Sequence, residues 1–139
     1  MSYADTEALL PNKALSNVEL LDAAKKIKIP GFRGVFVRDN LPRKPGKVEC
    51  GILNLDDTAG TGTHWAAWYK RDKEKFYFDS YGYGIQPPRE LVEYLKDHIL
   101  YNTERLQPKD QVFCGHLCLY VLKQLTLGRR LQKIVNDLH

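Results

Sequence analysis

The chain of 139 residues predicts an α+β fold. Strand-forming aromatic and β-branched runs are confined to the stretch from Phe32 to about Gly84. Helical patterns with start and stop signals flank that stretch on both sides. A hydrophobic content of 43% at this length supports one sizeable core, and therefore a single domain over residues 1–139. No apolar run approaches the roughly 18 residues of a membrane span. The start, "MSYADTEALLPNKALS", carries acidic residues and no long apolar region, which predicts no secretory leader. Three cysteines are too few for a disulfide framework and predict an intracellular, reducing compartment.

Taken in order, residues 1–15 read as a loosely held arm. "SNVE" at Ser16 to Glu19 has capping-box spacing, and Val18, Leu21, Ala24 and Ile27 fit one face of a first helix. That helix must stop before Pro30. "FRGVFVRD" and "VECGILNL" read as strands joined by the loop "LPRKPGK". "HWAAWYK" and "KFYFDSYGYG" flank the charged "RDKE" and form a hairpin. "PPRELVEYLKDHIL" is a helix with Pro at its start and Leu91, Leu95, Ile99 and Leu100 on one side. A polar loop leads into a helix stopped near Gly128, and a short basic helix follows.

The net charge of +4 is uneven: Lys25, Lys26, Lys28, Arg33, Arg38, Arg43, Lys44 and Lys47 stand against the single Asp39. Such a segment is either a solvated basic face or a nucleic-acid contact.

The chemistry concentrates at "LQPKDQVFCGHLCLYVLKQL". Leu117, Val121, Leu122 and Leu125 form a stripe that sends this helix into the core, and Cys118 lies on the stripe as a structural thiol. Cys114 stands at the first turn, where unpaired N–H groups and the positive end of the helix dipole favour an anion, and Gly115 leaves room for another chain to approach. Bringing a thiol from about 8.5 to about 4 takes on the order of 6 kcal/mol. A helix terminus supplies about 0.3–1 kcal/mol, at best about 2. A nucleophilic thiolate therefore also needs a cationic partner. Cys114, His116 and Cys118 make neither a disulfide nor a zinc site, because helical neighbours at these spacings diverge or lie too far apart.

Of the four histidines, His139 is terminal, His98 lies on an amphipathic helix, and His116 points away from Cys114 on the same helix. His64 remains, at the end of a "GTGT" loop. If the hairpin turn centres between Arg71 and Asp72, Asp79 lies opposite His64 and can orient its imidazole; a slip leaves the two diagonal. Asp79 is otherwise a surface residue starting a turn. The Cys114 N–H and a side-chain amide from Gln107 or Gln111 are candidate oxyanion donors, and physical reasoning does not choose between the glutamines.

"GTHWAAW", "YFDSYGYG" and "LQPKDQVFCGHLC" resemble, in this order, the His-Trp, acidic and Gln…Cys-Gly segments of the adenovirus endopeptidase, adenain. The likeness is greatest to the adenain-type proteases of Polinton/Maverick elements and related DNA viruses, and "IPGFRGVFVRDNLP" and "ECGILNLD" extend it over about Ser16 to Leu125. The resemblance implies a papain-like, adenain-like core with a mixed or antiparallel sheet packed against a central helix bearing the nucleophile. It implies Cys114 as nucleophile, His64 as base, Asp79 as the acidic partner and Gln107 as the oxyanion glutamine. Trp65 and Gly115 would then bound a narrow substrate cleft.

It further implies cleavage of precursor or capsid-type proteins after small, Gly-type residues, without a metal, in the host nucleus or the virion if the source is viral. Activation by DNA through the basic segment, or by a peptide, is compatible with it. No Cys lies between Tyr101 and Gln107, so a disulfide-linked peptide is not carried over. Two other readings stand beside it. One is a protease that removes ubiquitin-like modifiers, which shares the His…Asp…Gln…Cys order. The other is an inactive DNA-binding or scaffold module on the same fold.

Overall fold

The computed structural model describes residues 2–55, 64–82, 86–106 and 113–138. Five strands form one mixed sheet in sequence order: β1 (Phe32–Val37), β2 (Val48–Asn54), β3 (Trp65–Arg71), β4 (Glu74–Phe78) and β5 (Leu100–Tyr101). The three inner strands are antiparallel, and each outer strand runs parallel to its neighbour. The helices are α1 (Tyr3–Ala8), α2 (Asn17–Ile27), α3 (Arg89–Leu95), α4 (Cys114–Thr126) and α5 (Leu131–Leu138).

The run "WAAWY" at the start of β3 shows no polar alternation because both faces of the sheet are covered. Trp65, Ala67 and Tyr69 join Phe76 and Phe78 in packing against α2, α4 and α5. Ala66 and Trp68 join Leu53 and Tyr77 beneath Leu91, Tyr94 and Leu95 of α3. The Trp68 indole lies across Gly51, its neighbour in register; a Cβ there would come within 2.4 Å of the ring. From Cys114 to Leu122 every residue of α4 is buried, so α4 is the central helix and its burial extends well beyond the expected stripe.

Three local expectations are corrected. The arm is docked rather than loose. Ser2 caps α1 through a box with Asp5, Tyr3 meets the Tyr120 ring edge-on at 5.7 Å, and the buried His116 donates from Nε2 to the Pro11 carbonyl at 2.8 Å. In α2 the buried face is Leu20, Ala23, Ala24 and Ile27, while Val18 is 66% exposed, because Leu20 is the residue that packs against the start of α4. The capping box of Ser16 and Glu19 is present. Finally, α3 stops at Leu95, where Lys96 takes a φ of 71°, and Leu100 and Tyr101 form β5 instead of a further helical turn.

A buried carboxylate ties the far half of the sheet together. Glu49, 2% exposed, accepts from Arg33 Nη1 at 2.9 Å and the Gly46 N–H at 2.6 Å through one oxygen. Its other oxygen accepts from Trp68 Nε1 at 3.0 Å and the Tyr94 hydroxyl at 2.7 Å. Burial pushes the Glu49 carboxyl up, but these four donors outweigh it and hold the group below its usual range. Arg33, which the sequence groups with the basic segment, is thereby committed to the fold, and Lys47 lies 3.8 Å from Asp72.

Candidate active site

The site forms where β3 begins and α4 begins. The His64 carbonyl accepts from the Leu55 N–H at 3.1 Å, one rung beyond the β2–β3 ladder, and this fixes the backbone from which the imidazole projects. The β3–β4 turn carries Asp72 and Lys73, with Arg71 paired to Glu74 and Asp72 at a φ of 54°. The turn is thus centred one position later than the sequence suggests, which moves the register by two. Carried past the strand ends, this register sets Tyr81 opposite His64, and their rings stack at 4.0 Å and 6°. Asp79 is diagonal to His64, and it still reaches the imidazole: His64 Nε2 lies 2.8 Å from Asp79 Oδ1.

Asp79 is 1% exposed and is held on several sides. Its N–H donates to Asn102 Oδ1 at 3.0 Å, its carbonyl accepts from Asn102 Nδ2 at 2.7 Å, and its Oδ1 also accepts the Tyr81 N–H at 2.9 Å. The turn then closes with the Gly82 N–H donating to the Asp79 carbonyl at 3.0 Å. Gly82 has a φ of 64°, and a Cβ there would sit 2.1 Å from the Glu104 carbonyl oxygen, so a side chain cannot be accommodated. With the Leu106 N–H donating to the Ser80 carbonyl at 2.8 Å, the Asp79 turn is fastened to the segment that leads into residue 107. The Arg105 guanidinium lies 5.7 Å from the centre of the Tyr81 ring.

Cys114 is the first residue of α4 and is 5% exposed. It lies within electrostatic reach of the same imidazole, whose pKa it helps to raise. With Nε2 committed to Asp79, Nδ1 is the remaining ring nitrogen; it is buried and has no hydrogen-bond partner among the described residues. Burial alone would lower the His64 pKa. Hydrogen bonding and charge from Asp79 and Cys114 outweigh it and raise the value from 6.5 to about 9. Burial pushes the Cys50 thiol up to about 12 and the Cys118 thiol well above the ordinary value, so both remain protonated.

The raised imidazole makes a pH prediction. A histidine whose pKa rises on folding contributes stability that is fully present below 6.5 and is lost as pH rises through about 9. The difference in denaturation midpoint between the wild type and His64→Gln should therefore shrink across that interval. A constant difference would show that His64 is not held as an imidazolium.

The structure brings together His64, Asp79 and Cys114. Gln107 and Gln111 lie outside the described residues, as does His139. Among the described residues, Trp65 and Gly115 do not bound an open cleft. Trp65 is 7% exposed and donates from Nε1 to the Leu15 carbonyl at 3.0 Å. A Cβ on Gly115 would meet Leu20 at 3.1 Å and Leu15 and Trp65 at 3.5 Å, so the expected gap is filled by the docked arm and α2. Two residues of the site escape the sequence reading. Tyr81 is hidden within an aromatic run, and Asn102 shows only as a polar residue after a strand too short to recognise.

No family model matches the chain, and no curated protein matches it. The fold is a mixed α+β architecture with a mixed sheet, and it matches a papain- and adenain-like protease fold. A crystal structure of the African swine fever virus (ASFV) protease matches 90% of this chain with a TM-score of 0.62 at 18% identity. The selenomethionine form of that protease matches the same share with a TM-score of 0.56 at 17% identity. In both cases this chain spans 62% of the length of the viral protease.

Proposed function

We propose that this chain is a cysteine endopeptidase. The observation that carries the reading is the buried imidazole–carboxylate pair at 2.8 Å, set against a cysteine at the first turn of the central helix, on a protease fold. In the proposed reaction the Cys114 thiolate adds to the scissile carbonyl, and the negative charge moves onto its oxygen. The Cys114 N–H and Gln107, the glutamine implied by the adenain resemblance, donate to that oxygen. The His64 imidazolium then protonates the departing amine, leaving a thioester. Neutral His64 next takes a proton from water, whose oxygen adds to the thioester carbonyl and releases the thiol. Asp79 orients the imidazole throughout.

The proposed substrates are precursor or capsid-type proteins cut after small, Gly-type residues, on the Polinton/adenain resemblance. DNA or a peptide is a proposed activator, with Arg33 excluded from the DNA-contacting set by its bond to Glu49. Incubation with candidate capsid precursors and, separately, with proteins conjugated to ubiquitin-like modifiers tests the substrate class. Cleavage of the precursors is the expected result. Cleavage of the conjugates alone would assign the chain to modifier removal instead.

A further inference from the structure

The proposed mechanism uses one oxygen of Asp79. The second, Oδ2, is buried and has no hydrogen-bond partner among the described residues. The hydroxyl of Tyr77, a residue 1% exposed, is likewise buried and unpaired. Tyr77 lies in β4 and Asp79 directly follows its last residue, so strand alternation carried one step past the end sets both on the same side of the sheet. Orphaned polar atoms at this depth are rare, and here one residue leaves a donor and the other an acceptor without a partner among the described residues.

We propose that Tyr77 is a positioning residue for the reaction: its phenolic O–H donates to Asp79 Oδ2 and holds that carboxylate aimed at His64. The Tyr77 hydroxyl is itself held well above its ordinary pKa, by burial first and then by Asp79 and Cys118, so it is present as a donor throughout the working range. The titratable groups that face this carboxylate are His64 from the start of β3, Tyr77 from β4 and Cys118 from α4, with Cys114 acting through the imidazole. Of the two neutral donors among them, the Tyr77 hydroxyl is the strong one and is unpaired, whereas the Cys118 thiol is a weak donor. The inference rests on the proposed function for its meaning in catalysis, but not for the hydrogen bond itself.

The sign of the expected effect is fixed. A donor on Oδ2 fixes the plane of the carboxylate, so its removal loosens the carboxylate's hold on the imidazole. A hydrogen bond to a charged group corresponds to about tenfold in rate. In the full chain at neutral pH, Tyr77→Phe should displace the Asp79 carboxyl ¹³C signal from its wild-type position. Cys114 alkylation at the same pH should slow with it, by roughly tenfold. Replacing Tyr77 with 3-fluorotyrosine, a stronger donor of the same shape, should move both the other way, and it serves as the test if Tyr77→Phe does not fold. Cys118→Ala should leave both in place.

Carboxyl signals that superimpose in the wild type and both Tyr77 variants would overturn the assignment, as would a displacement that follows Cys118→Ala. The carboxyl signal is read without substrate. A shifted signal in a chain that cleaves no peptide would therefore sink the protease reading and leave the hydrogen bond standing. An unshifted signal in an active enzyme would sink the Tyr77 assignment alone.

Discussion

Alanine at position 64 should slow peptide cleavage by about 10²- to 10⁴-fold, the range for loss of a positioned acid–base group, and Cys114→Ser should abolish it. The reason lies in the division of labour around the imidazole. Burial disfavours its charge, and the pKa is nonetheless raised to about 9 because Asp79 and Cys114 both bear on it. The helix terminus contributes at best about 2 kcal/mol toward a thiolate, so most of the activation must come from His64. Cys118→Ser should retain the activity. Its cost should appear in stability instead, about 1–3 kcal/mol for a hydroxyl buried without a partner where the thiol is now fully enclosed. Rates measured under saturating denaturant-free conditions, with unfolding curves for each variant, separate the two effects.

Glu49→Ala should be the most destabilising single change, by about 3–5 kcal/mol, the cost of removing one partner from a buried charged network. The loss strands the Trp68 N–H and the Tyr94 hydroxyl, both buried, and frees the Gly46 N–H. Arg33→Ala should cost less, because that side chain is 38% exposed and water replaces part of the contact. The network also sets an acid limit. A carboxylate held below its unfolded pKa of 4.5 contributes stability above that value and loses it as pH falls through the depressed folded value. Denaturant unfolding of the wild type and Glu49→Gln at falling pH checks this: the two curves should converge. Glu49 is the second residue of β2, at the end away from His64, so Glu49→Gln should leave thiol reactivity nearly unchanged at neutral pH.

How much of this was legible in the sequence differs from element to element. The Ser16 capping box, the β1–β4 strands and the span of α4 follow from capping chemistry, β-prone runs and a helical stripe, which are local signals. The docking of residues 2–15 does not, because it depends on His116 and Trp65 finding carbonyls far away in the chain. The Ser2–Asp5 box was nonetheless readable in "SYAD". Strand β5 is two residues long and exists because Lys96 turns the chain back toward β4; no periodicity announces it.

The same contrast holds at the site. Cys114 is singled out by its place at the helix start and His64 by elimination among four histidines. The pairing of His64 with Asp79 was inferred from hairpin geometry and occurs with a register moved by two, since a diagonal carboxylate still reaches the ring. Tyr81 and Asn102 were not legible. Their roles arise from stacking and from a hydrogen bond between segments, which composition does not encode. Gly115 misled for a related reason: a glycine beside a nucleophile invites a substrate, but this one admits Leu15 and Leu20.

Everything turns on which sulfur is activated. A peptide-based electrophilic thiol probe should be reacted with the full chain near neutral pH and the modified residue identified by mass spectrometry. The account predicts a single adduct on Cys114 that vanishes in Cys114→Ser and forms far more slowly in His64→Ala. An adduct on Cys118 or Cys50, or labelling of Cys114 indifferent to His64, would contradict it.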